Sequence, residues 1–240
     1  MKRYEKYKKE SDVSYSFGLF PTFELVKNKP EQIECVITHS KLKKDSEDVV
    51  KLFDILKNLN IEVVEDDKTI NRLSDKENCY IIGVFKKYFA KISGTKHVVL
   101  DNPSDMGNLG TIMRTMLGFD IKNLIVTTPC VDYFNPKVVR ASMGAVFSLN
   151  IVEFKDINEY LNSNKLEKYL FMLNGKNELG KFEAPKNNYA LIFGNEARGL
   201  DKSLISAGKS VVIKHGNNID SLNLPISVGV AIFEFNKNNF

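Results

Sequence analysis

Three separated stretches of this 240-residue chain place glycine, amide, acid, hydroxyl and arginine side chains at or just after the ends of apolar runs. The sharpest is "LIFGNEARGLDKSL", residues 191–204, where a run that reads as core strand stops at Gly194 and meets Asn195, Glu196 and Arg198. A charge buried without a partner costs free energy or shifts its ionisation, so this cluster demands water or a ligand. Gly194, lacking a Cβ, permits close approach of something at the strand end. In "LDNPSDMGNLGTIMRTMLGFD", residues 100–120, a strand ends at Asp101, a turn follows through Asn102, Pro103 and Asp105, and a helix opens near Gly107 and Asn108 with Arg114 further along it. In "IKHGNNIDSLNLPISVGVAIFEF", residues 213–235, a strand ends at Ile213 and a polar loop leads through Ser221, Leu222 and Asn223 into an apolar helix with Pro225 in its first turn. A helix cap accounts for one of the two polar residues, but not for both, nor for Leu222 between them.

Each stretch also has a plain structural reading. Arg114 can be a surface arginine after a connecting loop, and Glu196 a helix cap or a salt-bridge partner. Three such ends become one polar cleft if a sheet gathers them, because parallel α/β sheets bind ligands at the carboxyl ends of their strands. Gly107 and Gly110 lack dinucleotide spacing, and no phosphate-loop fingerprint occurs.

The flanking sequence supplies such a sheet. Residues 33–40 and 61–66 read as strands around a helix over 46–60 with Ser46 as its cap; a short helix and turn over 70–79 and a strand over 80–88 follow. Ser93 and Gly94 suit a linker. Beyond it, strands at "HVVLD", "NLIVTT", "LNIVEF", "KYLFML", "YALIFG" and "SVVI" are interspersed with helices at "GNLGTIMRTMLGF", "NPKVVRASMGAVF", "INEYLNS", "KSLISAG" and residues 222–235. Buried-looking strands alternating with helices predict a parallel sheet covered on both faces. The expected division is residues 1–94 and 95–240, with a frayed "NKNNF" tail.

Composition narrows the function less. A hydrophobic fraction of 43% builds a packed core, and a net charge of +4 permits an anionic partner without demanding one. Cys35, Cys79 and Cys130 form no CxxC pair, which suits a reducing, cytoplasmic setting. There is neither a signal-like apolar segment near the start nor a run of about 20 apolar residues for a membrane span. His39 and His97 have no ligand-spaced partners, so no metal site is expected.

The three stretches, with "NPKVVRASMGA" between the first and second, closely resemble in order and spacing the motifs of the SpoU/TrmH RNA ribose methyltransferases of the SPOUT superfamily, over residues 97–236. Residues 15–94 are more loosely similar to the ribosomal-protein-like RNA-binding domain that precedes the catalytic domain in many of them. The resemblance implies an α/β fold with a parallel sheet and a C-terminal trefoil knot, preceded by a small α/β substrate-binding domain. It implies S-adenosylmethionine held by knotted loops that map onto Gly194, Ile213 and Leu222, methyl transfer to a ribose 2′-hydroxyl of RNA, rRNA ahead of tRNA, and a homodimer. The family's catalytic set maps onto Asn108, Arg114, Glu196, Ser221 and Asn223, with Arg114 suited to the phosphate beside the target ribose and Glu196 to holding Asn108 or Arg114.

Departures from the pattern sit beside the cofactor loops. Met106 stands where the family usually has proline, Lys214 and His215 replace proline and methionine, and "NLP" replaces asparagine, valine and serine. They leave open a rival reading, a non-catalytic RNA-binding protein that keeps the fold. His215 is a minor candidate for a base, since a loop histidine is more often a solvated or capping residue. The start, with "YEKYKK", offers cations beside aromatics for stacking on bases, or else a solvated tail.

Overall fold

The computed structural model describes residues 3–74 and 78–238. In chain order the elements are β1 (Val13–Phe17), α1 (Leu19–Asn28), β2 (Ile33–Thr38), α2 (Glu47–Asn58), β3 (Val63–Glu65), α3 (Asp67–Leu73) and β4 (Ile81–Lys86). There follow β5 (Lys96–Leu100), α4 (Met106–Gly118), β6 (Asn123–Thr127), α5 (Pro136–Ala141), β7 (Asn150–Phe154) and α6 (Ile157–Ser163). The chain continues with β8 (Glu167–Phe171), β9 (Asn177–Glu178), β10 (Tyr189–Phe193), β11 (Lys209–Val212) and α7 (Leu224–Asn236). They form two compact units, one of the described residues up to Tyr88 together with Asp132–Ser148, the other of Phe89–Val131 and the described residues from Leu149 onward.

The first unit is a four-stranded mixed sheet in the order β1-β4-β2-β3, in which only β2 and β3 run parallel. Val36, Leu52, Leu56 and Val26 bury one part of its core, and Tyr15, Cys35, Ile37, Ile70 and Val84 another. β1 and α1 were not apparent from periodicity, because "VSYSF" alternates serine with aromatics and the serines are as buried as the rings. Ser16 is satisfied inside by Thr22, at 2.9 Å. Ser46 stands at the N-cap of α2, but its hydroxyl donates to the Lys43 carbonyl instead of capping. Part of the turn expected over 70–79 lies outside the described residues, as does the end of the "NKNNF" tail.

The basic start is not a free stacking platform. Tyr4 is buried in the core and its carbonyl accepts from Arg72 Nε. Tyr7 donates to the Asp132 carboxylate, and Lys87 Nζ lies 4.8 Å from the centre of its ring. The aromatics expected to meet RNA bases are thus spent on the protein's own interior.

The helix expected across 135–147 stops at Ala141. Met143 and Gly144 have φ of 52° and 81°, which ends α-helical geometry, and a Cβ on Gly144 would lie 2.7 Å from Glu24 Cβ. The tight turn sends the chain into a 3₁₀ segment whose Phe147 packs edge-on against Phe85, centroids 5.1 Å apart.

The second unit is a seven-stranded sheet in the order β7-β6-β5-β10-β8-β11-β9, with every pairing parallel. Every residue of β6 and β10 is buried, as a sheet covered on both faces requires. α7 packs against α4. The helix expected at "KSLISAG" is a 3₁₀ segment, Lys202–Ser206, and α7 begins at Leu224, two residues after the expected start. His97 on β5 is a structural histidine: its ring bonds the Tyr160 hydroxyl at 2.9 Å and the Gly94 carbonyl at 3.3 Å. Among the described residues no helix is long and apolar enough to cross a membrane, and no group of three acidic, histidine or cysteine side chains could hold a metal.

Candidate active site

β10 lies between β5 and β8, and β11 lies on the far side of β8. The loops leaving the carboxyl ends of β8, β10 and β11 line one cleft of about 270 Å³. Its lining contains Gly194, Glu196, Ile213, Ser221 and Leu222, five of the eight residues singled out from the sequence, from two of the three motif stretches. Phe171 and Phe193, stacked with centroids 4.5 Å apart, form part of an otherwise largely apolar lining.

The loop after β10 is closed by its own hydrogen bonds. Gly199 N donates to Asn195 O at 2.8 Å, and Ala197 N donates to Asn195 Oδ1 at 3.0 Å. The reason for Gly194 is then direct: a Cβ there would lie 2.0 Å from the Gly199 carbonyl carbon and 2.1 Å from Leu200 N. The close approach expected at this glycine is made by the protein's own main chain, which folds back over it.

Glu196 is held by the loop between β5 and α4. Its carboxylate accepts from Ser104 Oγ at 2.8 Å, Ser104 N at 3.1 Å, Asp105 N at 3.2 Å and Asn108 Nδ2 at 3.5 Å. Partial burial alone pushes this carboxyl up. The hydrogen bonds from its own amide, the Ser104 hydroxyl and the Ser104 and Asp105 amides outweigh that and hold it below the usual carboxylate range. It is therefore a fixed anion, and no arginine among the described residues pairs with it. Asp105 caps α4 by accepting from Asn108 N at 2.7 Å, so Asn108 is oriented from its main chain and its side chain together. Asn195 joins the two loops, its Nδ2 donating to Asn102 O at 2.8 Å.

Arg114 and Arg198 are exposed, and neither makes a hydrogen bond or ion pair among the described residues. Arg198 lines the cleft; Arg114 lies on α4 outside its lining. Asn223 is the N-cap residue of α7, but no side-chain capping bond is made by it or by Ser221, so the cap considered for these residues is absent. The loop that carries them bends back at one point, where His215 Nδ1 meets the Ile213 carbonyl at 3.0 Å.

Sequence reasoning missed the loop after β8, whose Met172, Leu173 and Asn174 line the cleft, and the joining role of Asn195 and Ser104. The signal for the first is positional: β8 is the neighbour of both β10 and β11, and its strand end must reach the same edge.

Residues 95–233, more than half of the chain, match the model of the SpoU rRNA Methylase family. An uncharacterized tRNA/rRNA methyltransferase of Borreliella burgdorferi is 28% identical over 188 residues, covering 75% of this chain and 74% of the relative. The Bacillus subtilis 23S rRNA (guanosine(2553)-2'-O)-methyltransferase RlmP is 26% identical over 58% of this chain and 56% of its own length. An uncharacterized tRNA/rRNA methyltransferase of Synechocystis is 29% identical, and the match spans 51% of its length. In fold, the AdoMet-bound rRNA methyltransferase of Sinorhizobium meliloti superposes with a TM-score of 0.81 at 24% identity, over 96% of this chain and 89% of the other. With the matched segment containing all eight candidate residues, the chain belongs to the SpoU rRNA Methylase family.

Proposed function

We propose that the protein transfers a methyl group from S-adenosylmethionine to a ribose 2′-hydroxyl of RNA, with rRNA as the substrate class. The observation that carries this reading is the anchored Glu196 carboxylate at the rim of a largely apolar cleft, tied through Ser104, Asp105 and Asn108 to the helix that bears an unpaired Arg114. The cleft suits the cofactor: apolar walls from Phe171, Phe193 and Leu222 accept a flat base, and the polar groups of Asn174, Asn195 and Ser221 suit a ribose and an amino-acid tail. When bound, S-adenosylmethionine supplies an electrophilic methyl on a sulfonium.

The chain's own residues then have positioning work. Arg114 grips the phosphate beside the target ribose, because a guanidinium fork offers two donors to phosphate oxygens and is not deprotonated at neutral pH. Glu196 keeps Asn108 and the 104–105 turn in register with it. Ser221 and Asn223 supply uncommitted polar groups to the ribose side. Alignment of a weak hydroxyl nucleophile with the methyl carbon is the main source of rate in such a site.

The same reading assigns the first unit to RNA binding and the second to methyl transfer. It also carries a C-terminal trefoil knot, supported by a strand order that inserts β8 between β10 and β11 and gathers their loops on one cleft. It carries a homodimer through α7, supported by Ile226, Val230 and Phe233, which stand exposed on one helical stripe. The test is methyl incorporation from labelled S-adenosylmethionine into rRNA, followed by mapping of 2′-O-methyl sites. Arg114→Ala is expected to lose at least about 100-fold in rate with cofactor affinity kept, and unchanged incorporation rejects the assignment.

A further inference from the structure

We infer that His215 reads the edge of the cofactor's adenine, accepting a hydrogen bond from the exocyclic amine through Nε2. The inference rests on the proposed cofactor and starts from the imidazole's own contacts. Nδ1 lies 3.0 Å from the Ile213 carbonyl oxygen. A carbonyl oxygen only accepts, so Nδ1 carries the hydrogen, and in the neutral ring Nε2 is left as a bare acceptor. The tautomer is therefore set by main chain two residues back, before any ligand arrives. Nε2 has no protein partner among the described residues.

The surroundings narrow what this acceptor meets. His215 lines the cleft and also a shallower groove of about 330 Å³ beside it, and Leu173 and Ile213 line both as well. Leu173 and Ile219, at 66% and 52% exposure, stand open on the groove, whose lining also holds Lys214, Asn217 and Asp220. On the cleft side His215 shares the lining with Leu173, Ile213 and Leu222, and an acceptor there suits a flat ring whose faces are apolar and whose edge donates. Of the donors on S-adenosylmethionine, the ammonium is charged and the ribose hydroxyls are attached to a polar ring; the adenine amine alone projects from an aromatic one. Replacing that amine by a carbonyl sets two acceptors against each other, which a site built for a donor rejects.

The experiment is calorimetry at pH 8 on the full chain with S-adenosylhomocysteine and its 6-oxo analogue, S-inosylhomocysteine. Wild type is expected to favour the amino form by about tenfold or more. His215→Leu is expected to bind the amino form roughly 3- to 10-fold more weakly and to lose the preference. His215→Gln, whose rotatable amide presents either an acceptor or a donor, is expected to bind both forms alike while retaining most of the affinity. Equal binding of the two forms by wild type, or a preference that survives in His215→Leu, overturns the inference and leaves the cofactor assignment standing. Failure of wild type to bind either form overturns both.

Discussion

The loop after β10 and the loop after β11 line the same cleft and are built in opposite ways. The first, residues 194–200, is closed on itself by Asn195 and Gly199 and clamped from outside through Glu196. The second, residues 213–223, is mostly exposed, and its Ser221 and Asn223 side chains make no hydrogen bond among the described residues. A carboxylate that accepts four or more hydrogen bonds from the protein itself is pre-organised and costs nothing to position when substrate arrives. A loop whose polar groups face water must be ordered by what it binds, and the ordering entropy is drawn from binding energy. The contrast separates a rigid half of the site from an adaptable half.

Three substitutions break or sharpen this contrast. Gly194→Ala attacks the rigid loop at its tightest point: the new methyl overlaps main chain at 2.0 Å, and nothing there is a flexible side chain that can yield. A loss of about 3 kcal/mol or more in denaturant unfolding is expected, with cofactor binding abolished in calorimetry. Glu196→Gln keeps the shape but exchanges an anion for an amide whose NH2 faces amide donors. It is expected to lower the methyl-transfer rate about 100-fold and stability by about 1–2 kcal/mol. Because the carboxyl of Glu196 is held below its usual value near 4.5, its stabilisation is fully present above that value and is lost as pH falls through the folded pKa. The unfolding free energy of Glu196→Gln should therefore vary less with pH than wild type below about pH 4.5, a difference that urea titrations at stepped pH would measure. Asn223→Ala, in the adaptable loop, removes no bond of the free protein. Stability is expected to stay within about 0.5 kcal/mol while methyl transfer falls roughly tenfold. A large stability loss in Asn223→Ala, or none in Glu196→Gln, removes the distinction between the two loops.

The sheet of the second unit was legible because fully buried parallel strands write themselves as continuous apolar runs, as "NLIVT" and "YALIF" do. β1 was not, since its buried serines are satisfied across space by the Thr22 hydroxyl and the Phe134 carbonyl, and β9 was too short to leave a pattern. The same limit applies to Asp132–Ser148, which follows β6 in sequence but buries Phe134 and Phe147 with the first unit, a partnership that no local periodicity records.

By itself the amino-acid order determined which residue types stand at the strand ends, the parallel character of the sheet, and the motif spacing that the family shares, because these depend on neighbours along the chain. Tertiary structure alone decided what each group touches. Glu196, two residues before Arg198 in sequence, takes its partners from residues 104, 105 and 108. Gly194 is glycine for the main chain that folds over it, and Tyr4 of the basic start belongs to the core, with Tyr7 packed against it. Hydrogen bonds and close packing act over a few ångströms of space, and only folding brings residues 92 positions apart within that range.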